Sequence, residues 1–148
     1  MKDIPTQFQL PYVGILIYLA MRTNGRVSAL VVRDNKILLI HRFKHGDEYW
    51  VIPGGGVEDK ESLEEALKRE VREETSLDLI SFELLGSNEH EGHIHYFYKC
   101  ELTLGEPKIG GPELEDSSKD NIYLLEWISI EDVNRLNIYP SSVKLYIK

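Results

Sequence analysis

The sequence predicts a mixed α/β fold in a single domain, and three observations predict it. Short runs rich in valine, isoleucine and leucine recur along the chain, a two-residue Asp-Asn turn joins the first pair of them, and one long capped helix stands between the third and the fourth. Hairpins alternating with a crossover helix belong to a mixed sheet with helices packed on it. The length of 148 residues fits one domain, and 42% hydrophobic residues suffice for a real core.

Taken in order, Val27 to Val32 and Lys36 to His41 read as strands flanking the Asp34-Asn35 turn. Tyr49 to Ile52 is a short strand running into Pro53-Gly54-Gly55-Gly56. The helix spans about Ser62 to Glu74, with Ser62 and Glu65 forming a capping box at its start. Leu79 to Leu85 and Ile94 to Leu104 read as further strands, and Gly105 to Asn121 as a long polar loop. Ile122 to Ile128 is another strand, after which Ser129 and Asp132 cap a short second helix. Residues 1–24 stand apart as an apolar N-terminal extension, and residues 25–148 carry the organised domain.

Charge and composition narrow the function. A formal net charge of -8 with no Lys/Arg run repels a nucleic-acid polymer, whereas a small anion can be bridged to acidic side chains by cations. The single cysteine, Cys100, excludes an internal disulfide and suits a reducing cytoplasm. The apolar run Leu10 to Met21 is shorter than the roughly 20 residues of a membrane span, and Lys2 followed by Asp3 makes a poor signal peptide. This run is expected to pack on the domain or on a second copy, which is compatible with a homodimer.

The long helix carries the chemistry. Leu63, Ala66, Leu67 and Val71 share its core-facing side, yet Glu70 and Glu74 fall within the same arc and Glu73 at its edge. Like charges three and four residues apart repel, carboxylates oppose the dipole at a helix C-terminus, and burial adds desolvation. Solvated surface pairing accounts for Glu64 with Lys68 and Glu65 with Arg69, but not for Glu70 and Glu74. A hard divalent cation resolves the conflict, because Mg²⁺ and Mn²⁺ prefer carboxylate oxygens. The glycines at 54, 55 and 56 let the backbone approach a ligand closely just before this helix.

These residues resemble the signature of the Nudix (MutT-like) hydrolase family. Gly55, five residues, Glu61, seven residues and Arg69-Glu70-Val71-Arg72-Glu73-Glu74-Thr75-Ser76-Leu77 match it at every defining position except Ser76, where the family carries Gly. The resemblance extends from about Arg26 to Pro140. It implies an α/β/α sandwich around a mixed β-sheet, a Mg²⁺ or Mn²⁺ cofactor, and small substrates built as a nucleoside diphosphate linked to another group. By position it makes Glu70, Glu73 and Glu74 metal ligands, with the Gly54 carbonyl a further one. Glu61 and Arg69 become supporting residues, Arg69 holding a glutamate in place. Ser76 falls where a left-handed cap is expected, at a cost of about 1 kcal/mol.

The expected reaction is attack of water on phosphorus, with Glu73 or Glu70 taking the proton and Glu91, Glu113 and Glu115 as loop candidates for that role. Solvent exposure is the commoner fate of such loop glutamates. Arg42 and Lys44 are expected to meet phosphate oxygens, Gly55 to border the substrate, and Trp50, Phe43 or Tyr96 to stack on a base. His90, His93 and His95 lack the partners of a tetrahedral zinc site, and one of them is expected to face the substrate. Subfamily markers for ADP-ribose and NADH hydrolases are missing. That leaves a nucleoside triphosphate, intact or oxidised, cut to the monophosphate and pyrophosphate, with nucleotide sugars and dinucleoside polyphosphates open. A non-catalytic nucleotide sensor of the same fold is the alternative, and the intact glutamates weigh against it.

Overall fold

The computed structural model describes residues 25–90 and 92–148, so the apolar run at 10–21, with the homodimer expectation attached to it, and Glu91 lie outside the described residues. Strands β1 (Arg26–Arg33) and β2 (Lys36–Lys44) are joined by Asp34 and Asn35, both at positive φ (49° and 60°), the backbone that a type I′ hairpin turn requires. They pair only beside the turn, at Val32–Ile37 and Arg33–Lys36, and then part. Beyond that point β1 pairs in parallel with β6 (His93–Leu102) and antiparallel with the short β4 (Gly54–Gly56). β2 pairs instead with β3 (Asp47–Val51) and β7 (Asn121–Ser129). β5 (Leu79–His90) flanks β6, and β8 (Ile138–Tyr139) flanks β3 in parallel. The strand order β5-β6-β1-β2-β3-β8 is thus one mixed sheet that splays into two halves.

β1 and β2 are buried on both faces, which their near-continuous apolar sequences foretell. On one face, Val27, Ala29 and Val31 pack with Leu38 against Ala66, Leu67 and Val71 of helix α1 (Leu63–Thr75). On the other, Leu30, Ile37 and Leu39 pack with Phe97, Val133 and Val143. Val133 and Val143 come from two 3-10 turns, Ile130–Arg135 and Ser141–Tyr146. The mixed sheet between helical layers agrees with the expected class, although the second layer is 3-10 rather than α-helical. The short helix expected after Ser129 is therefore a 3-10 turn, and Ser129 makes no side-chain cap hydrogen bond to it. Within the stretch expected to be loop, Gly111–Asp116 forms a second short helix, α2, with Pro112 in its first turn. β5 also runs further than its apolar residues suggest, because its polar half to His90 is held by pairing with β6.

Candidate active site

Helix α1 is started by the capping box: Ser62 Oγ accepts from the Glu65 N–H at 3.1 Å, and Glu65 Oε1 accepts from the Ser62 N–H at 3.3 Å. Glu65 therefore turns back on its own cap, and Arg69 pairs elsewhere. The Arg69 Nε donates to Glu61 Oε2 at 2.7 Å, one terminal nitrogen to Glu70 Oε1 at 2.7 Å, and the other to Glu61 Oε1 at 2.8 Å and the Gly56 carbonyl at 2.9 Å. This charge-assisted fork pins the Glu70 carboxylate and ties the helix to β4. The same bonds hold the Glu61 carboxyl below its ordinary range and push the Arg69 guanidinium further up.

Glu70 and Glu74 lie in the buried face, 6% and 3% exposed, as the periodicity predicts. The glycines make room for them. A Cβ on Gly55 would stand 2.3 Å from Glu70 Oε1, and one on Gly54 would stand 2.0 Å from the Val27 carbonyl oxygen. With that space open, the Gly54 N–H donates to Glu74 Oε1 at 2.8 Å. Helix α2 supplies a third carboxylate. Gly111, at φ 61°, lets α2 sit against the end of α1, where an added Cβ would meet Glu73 Cβ at 3.1 Å. One oxygen each of Glu70, Glu74 and Glu113 then lie within 4.8 Å of one another.

This convergence is electrostatically adverse without a cation. Burial, with the neighbouring Glu70 and Glu113 charges, pushes the Glu74 carboxyl well above its ordinary range, against the pull of the Gly54 N–H. Burial and then Glu70 raise Glu73. Glu113 Oε2 is buried without a hydrogen-bond partner. Oxygen donors only, clustered like charges and an orphaned buried carboxylate oxygen are the donor set that a hard divalent cation fits.

The cluster borders a cavity of about 670 Å³, opening where β1 and β2 part. Glu74 and Glu113 line it beside Gly54. From the β2–β3–β7 half come Arg42, Tyr49 and Tyr123, joined by Tyr139 of β8; from the β1–β5–β6 half come Arg26, His90, His93 and His95. Arg42 is clamped by the Asn121 side chain at 2.5 Å and the Ile122 carbonyl at 3.3 Å, and lies 3.6 Å from the centre of the Tyr123 ring.

Comparison with known proteins agrees with this architecture. The NUDIX domain model matches residues 22–148. The chain belongs to the Nudix family. An 8-oxo-dGTP diphosphatase of Buchnera aphidicola is 31% identical to it over 123 residues, covering 82% of this chain and 88% of that protein. The Bacillus subtilis Nudix hydrolase YvcI is 37% identical over 120 residues, covering 78% and 72% respectively. The MutT Nudix hydrolase from Burkholderia pseudomallei superposes with a TM-score of 0.66 at 27% identity, covering 84% of this chain and 96% of that one. The chain spans only 30% of the length of a Caenorhabditis elegans relative and about half of several others that it matches.

Within this Nudix chain, the structure places Glu61, Arg69, Glu70, Glu74, Gly54 and Gly55, the positions that the resemblance picks out, side by side. Glu73 stands beside the trio rather than in it, its Oε2 3.6 Å from an Arg69 nitrogen. Glu113, for which exposure was the default expectation, joins the cluster, whereas Glu115 is exposed. Lys44 lies exposed at the end of β2, outside the cavity lining that Arg42 enters. Trp50 and Phe43 face away from the cavity, against His41, which Glu126 (2.7 Å) and Glu48 (2.9 Å) hold from both ring nitrogens. Strand alternation explains this: Tyr49 and Val51 point into the cavity, so Trp50 between them cannot. Tyr96 packs on the α1-side core. Among the described residues, the tyrosines lining the cavity are Tyr49, Tyr123 and Tyr139. Only the period-two alternation hinted at them, and it does not say which face is inward.

Proposed function

We propose that this Nudix chain is a divalent-metal-dependent pyrophosphohydrolase, cutting the phosphoanhydride bond of a nucleoside diphosphate-linked substrate. The observation that carries the reading is the convergence of Glu70, Glu74 and Glu113 within 4.8 Å at the edge of a 670 Å³ cavity, against a backbone that only glycine can form. Those carboxylates, with the Gly54 carbonyl, would hold Mg²⁺ or Mn²⁺. When bound, such an ion offsets diphosphate charge and lowers the pKa of water.

The chain's own residues supply the rest. Arg69 fixes Glu70, and the Gly54 N–H fixes Glu74. Water attacks phosphorus, the bond to the bridging oxygen breaks with its electron pair on the departing phosphate, and Glu73, outside the trio, takes the proton. Tyr49 and Tyr123 receive the base, with Arg42 held beside them. A nucleoside triphosphate, including an oxidised one, is the favoured substrate, in keeping with the Buchnera relative named an 8-oxo-dGTP diphosphatase.

The test is phosphate and pyrophosphate release from triphosphates (oxidised ones included), ADP-ribose, nucleotide sugars and dinucleoside polyphosphates. It is run with Mg²⁺, Mn²⁺ or chelator, beside Glu70→Gln. Metal-dependent turnover lost in the variant is expected. Tight binding of one compound with no turnover of any would instead make the protein a sensor.

A further inference from the structure

The face of the sheet that packs on the 3-10 layer changes character along its length. Leu30 and Phe97 belong to the core there. Two residues along, the same face carries Ser28 and His95, 7% and 6% exposed. Beyond these stand Arg26 and His93. The pairings Arg26–His95, Asn88–His95 and His90–His93 put the side chains of β1, β5 and β6 on this one face. The His90 and His95 rings are 5.6 Å apart, and Arg26, His90, His93 and His95 all line the cavity.

A face that runs from apolar to histidine and arginine, in a chain with a net charge of -8, mirrors the helix that runs from apolar to glutamate. Both gradients end at one cavity. The carboxylates suit cations; imidazole and guanidinium N–H groups suit oxyanions. The aromatic side lies across the splay, on β3, β7 and β8, so a bound nucleoside leaves the histidine side to another part of the substrate.

We infer that Arg26, His90, His93 and His95 form a distal-phosphate subsite, which selects substrates carrying at least one phosphate beyond the scissile diphosphate. This deepens the hydrolase reading and rests on it for the position of that diphosphate. Nucleoside triphosphates and longer polyphosphates fill the subsite; a nucleoside diphosphate joined to a neutral sugar does not.

The test measures binding, so it stands whether or not turnover is found. Pyrophosphate and tripolyphosphate are titrated calorimetrically into the full chain in magnesium buffer, and then into His90→Ala/His93→Ala. The wild type is expected to prefer tripolyphosphate by about tenfold or more, as one or two charge-assisted hydrogen bonds would give. The pair variant should lose that preference while keeping its pyrophosphate affinity. Equal affinities in the wild type, or a preference that survives in the variant, would overturn the subsite. If the pair variant does not fold, His93→Leu is compared with His93→Gln, which retains an N–H donor. Preference kept by Gln and lost by Leu is expected, and identical behaviour of the two would overturn the assignment.

Discussion

Arg69 reaches Glu61, Glu70 and the Gly56 carbonyl from one planar group, and so decides where the Glu70 carboxylate points. A lysine keeps the charge but has no fork with which to satisfy Glu61 and Glu70 together. Arg69→Lys is therefore expected to lower kcat by about 10–100-fold, the usual cost of losing a group that orients a ligand. KM should change much less, because Arg69 is not among the residues lining the cavity. Steady-state kinetics on the substrate identified by the panel checks this; an unchanged kcat would remove Arg69 from any positioning role. Glu61 and Arg69 were legible only as the supporting residues that the resemblance implies, since helical spacing alone pointed Arg69 at Glu65, which instead turns back on the Ser62 cap. Glu113 was not, since a glutamate in a polar stretch reads as solvated until α2 is seen packed on the end of α1.

Helix α1 is defined at its two ends by different devices. At its start the Ser62–Glu65 box satisfies two backbone donors, and Ser62→Ala is expected to cost about 1 kcal/mol in chemical denaturation. At its end Ser76 adopts φ 62°, the left-handed cap at which the family carries glycine. Its N–H bonds the Arg72 carbonyl at 3.0 Å, and its hydroxyl donates to the Lys108 carbonyl at 2.7 Å. The hydroxyl bond offsets the left-handed strain, and both effects are on the order of 1 kcal/mol. Ser76→Gly should accordingly leave stability nearly unchanged, whereas Ser76→Ala, which keeps the strain and loses the bond, should destabilise by about 1 kcal/mol. The same denaturation midpoints decide both, and a large gain from Gly would show the hydroxyl bond to be without weight. The cap position itself was readable from the sequence; the partner at Lys108, 32 residues on, was not.

At the scale of the whole molecule, the carboxylate trio lies between α1 and α2, and β4 closes against it. A cation bound there links elements distant in the chain and relieves their repulsion. Saturation at about 100 times the dissociation constant contributes roughly 2.7 kcal/mol, which for a domain of this size raises Tm by roughly 5–12 °C. The thermal shift with Mn²⁺ or Mg²⁺, reversed by chelator and absent in Glu70→Gln/Glu113→Gln, is the check. A melting curve indifferent to metal would remove the cation from the site. The splay of β1 from β2 belongs to this scale as well. A two-residue turn predicts a hairpin, and the turn is present, but pairing stops beside it because β4 takes the inner edge of β1.

The sequence by itself determined what periodicity and close spacing encode: the mixed α/β class, the capped helix with its buried glutamates, the glycine turn before it and the two-residue Asp-Asn turn. Each depends on residues a few positions apart, whose backbone geometry is nearly independent of context. Only the tertiary structure decided which side of each strand faces the cavity. Alternation divides a strand into two sets without saying which is inward, so Tyr49 and Tyr123 line the cavity and Trp50 does not, and the histidines of β5 and β6 gathered beside Arg26. It also decided that Glu113 belongs with Glu70 and Glu74. That meeting depends on the seat that Gly111 gives α2, a contact between segments about 40 residues apart that no local pattern specifies.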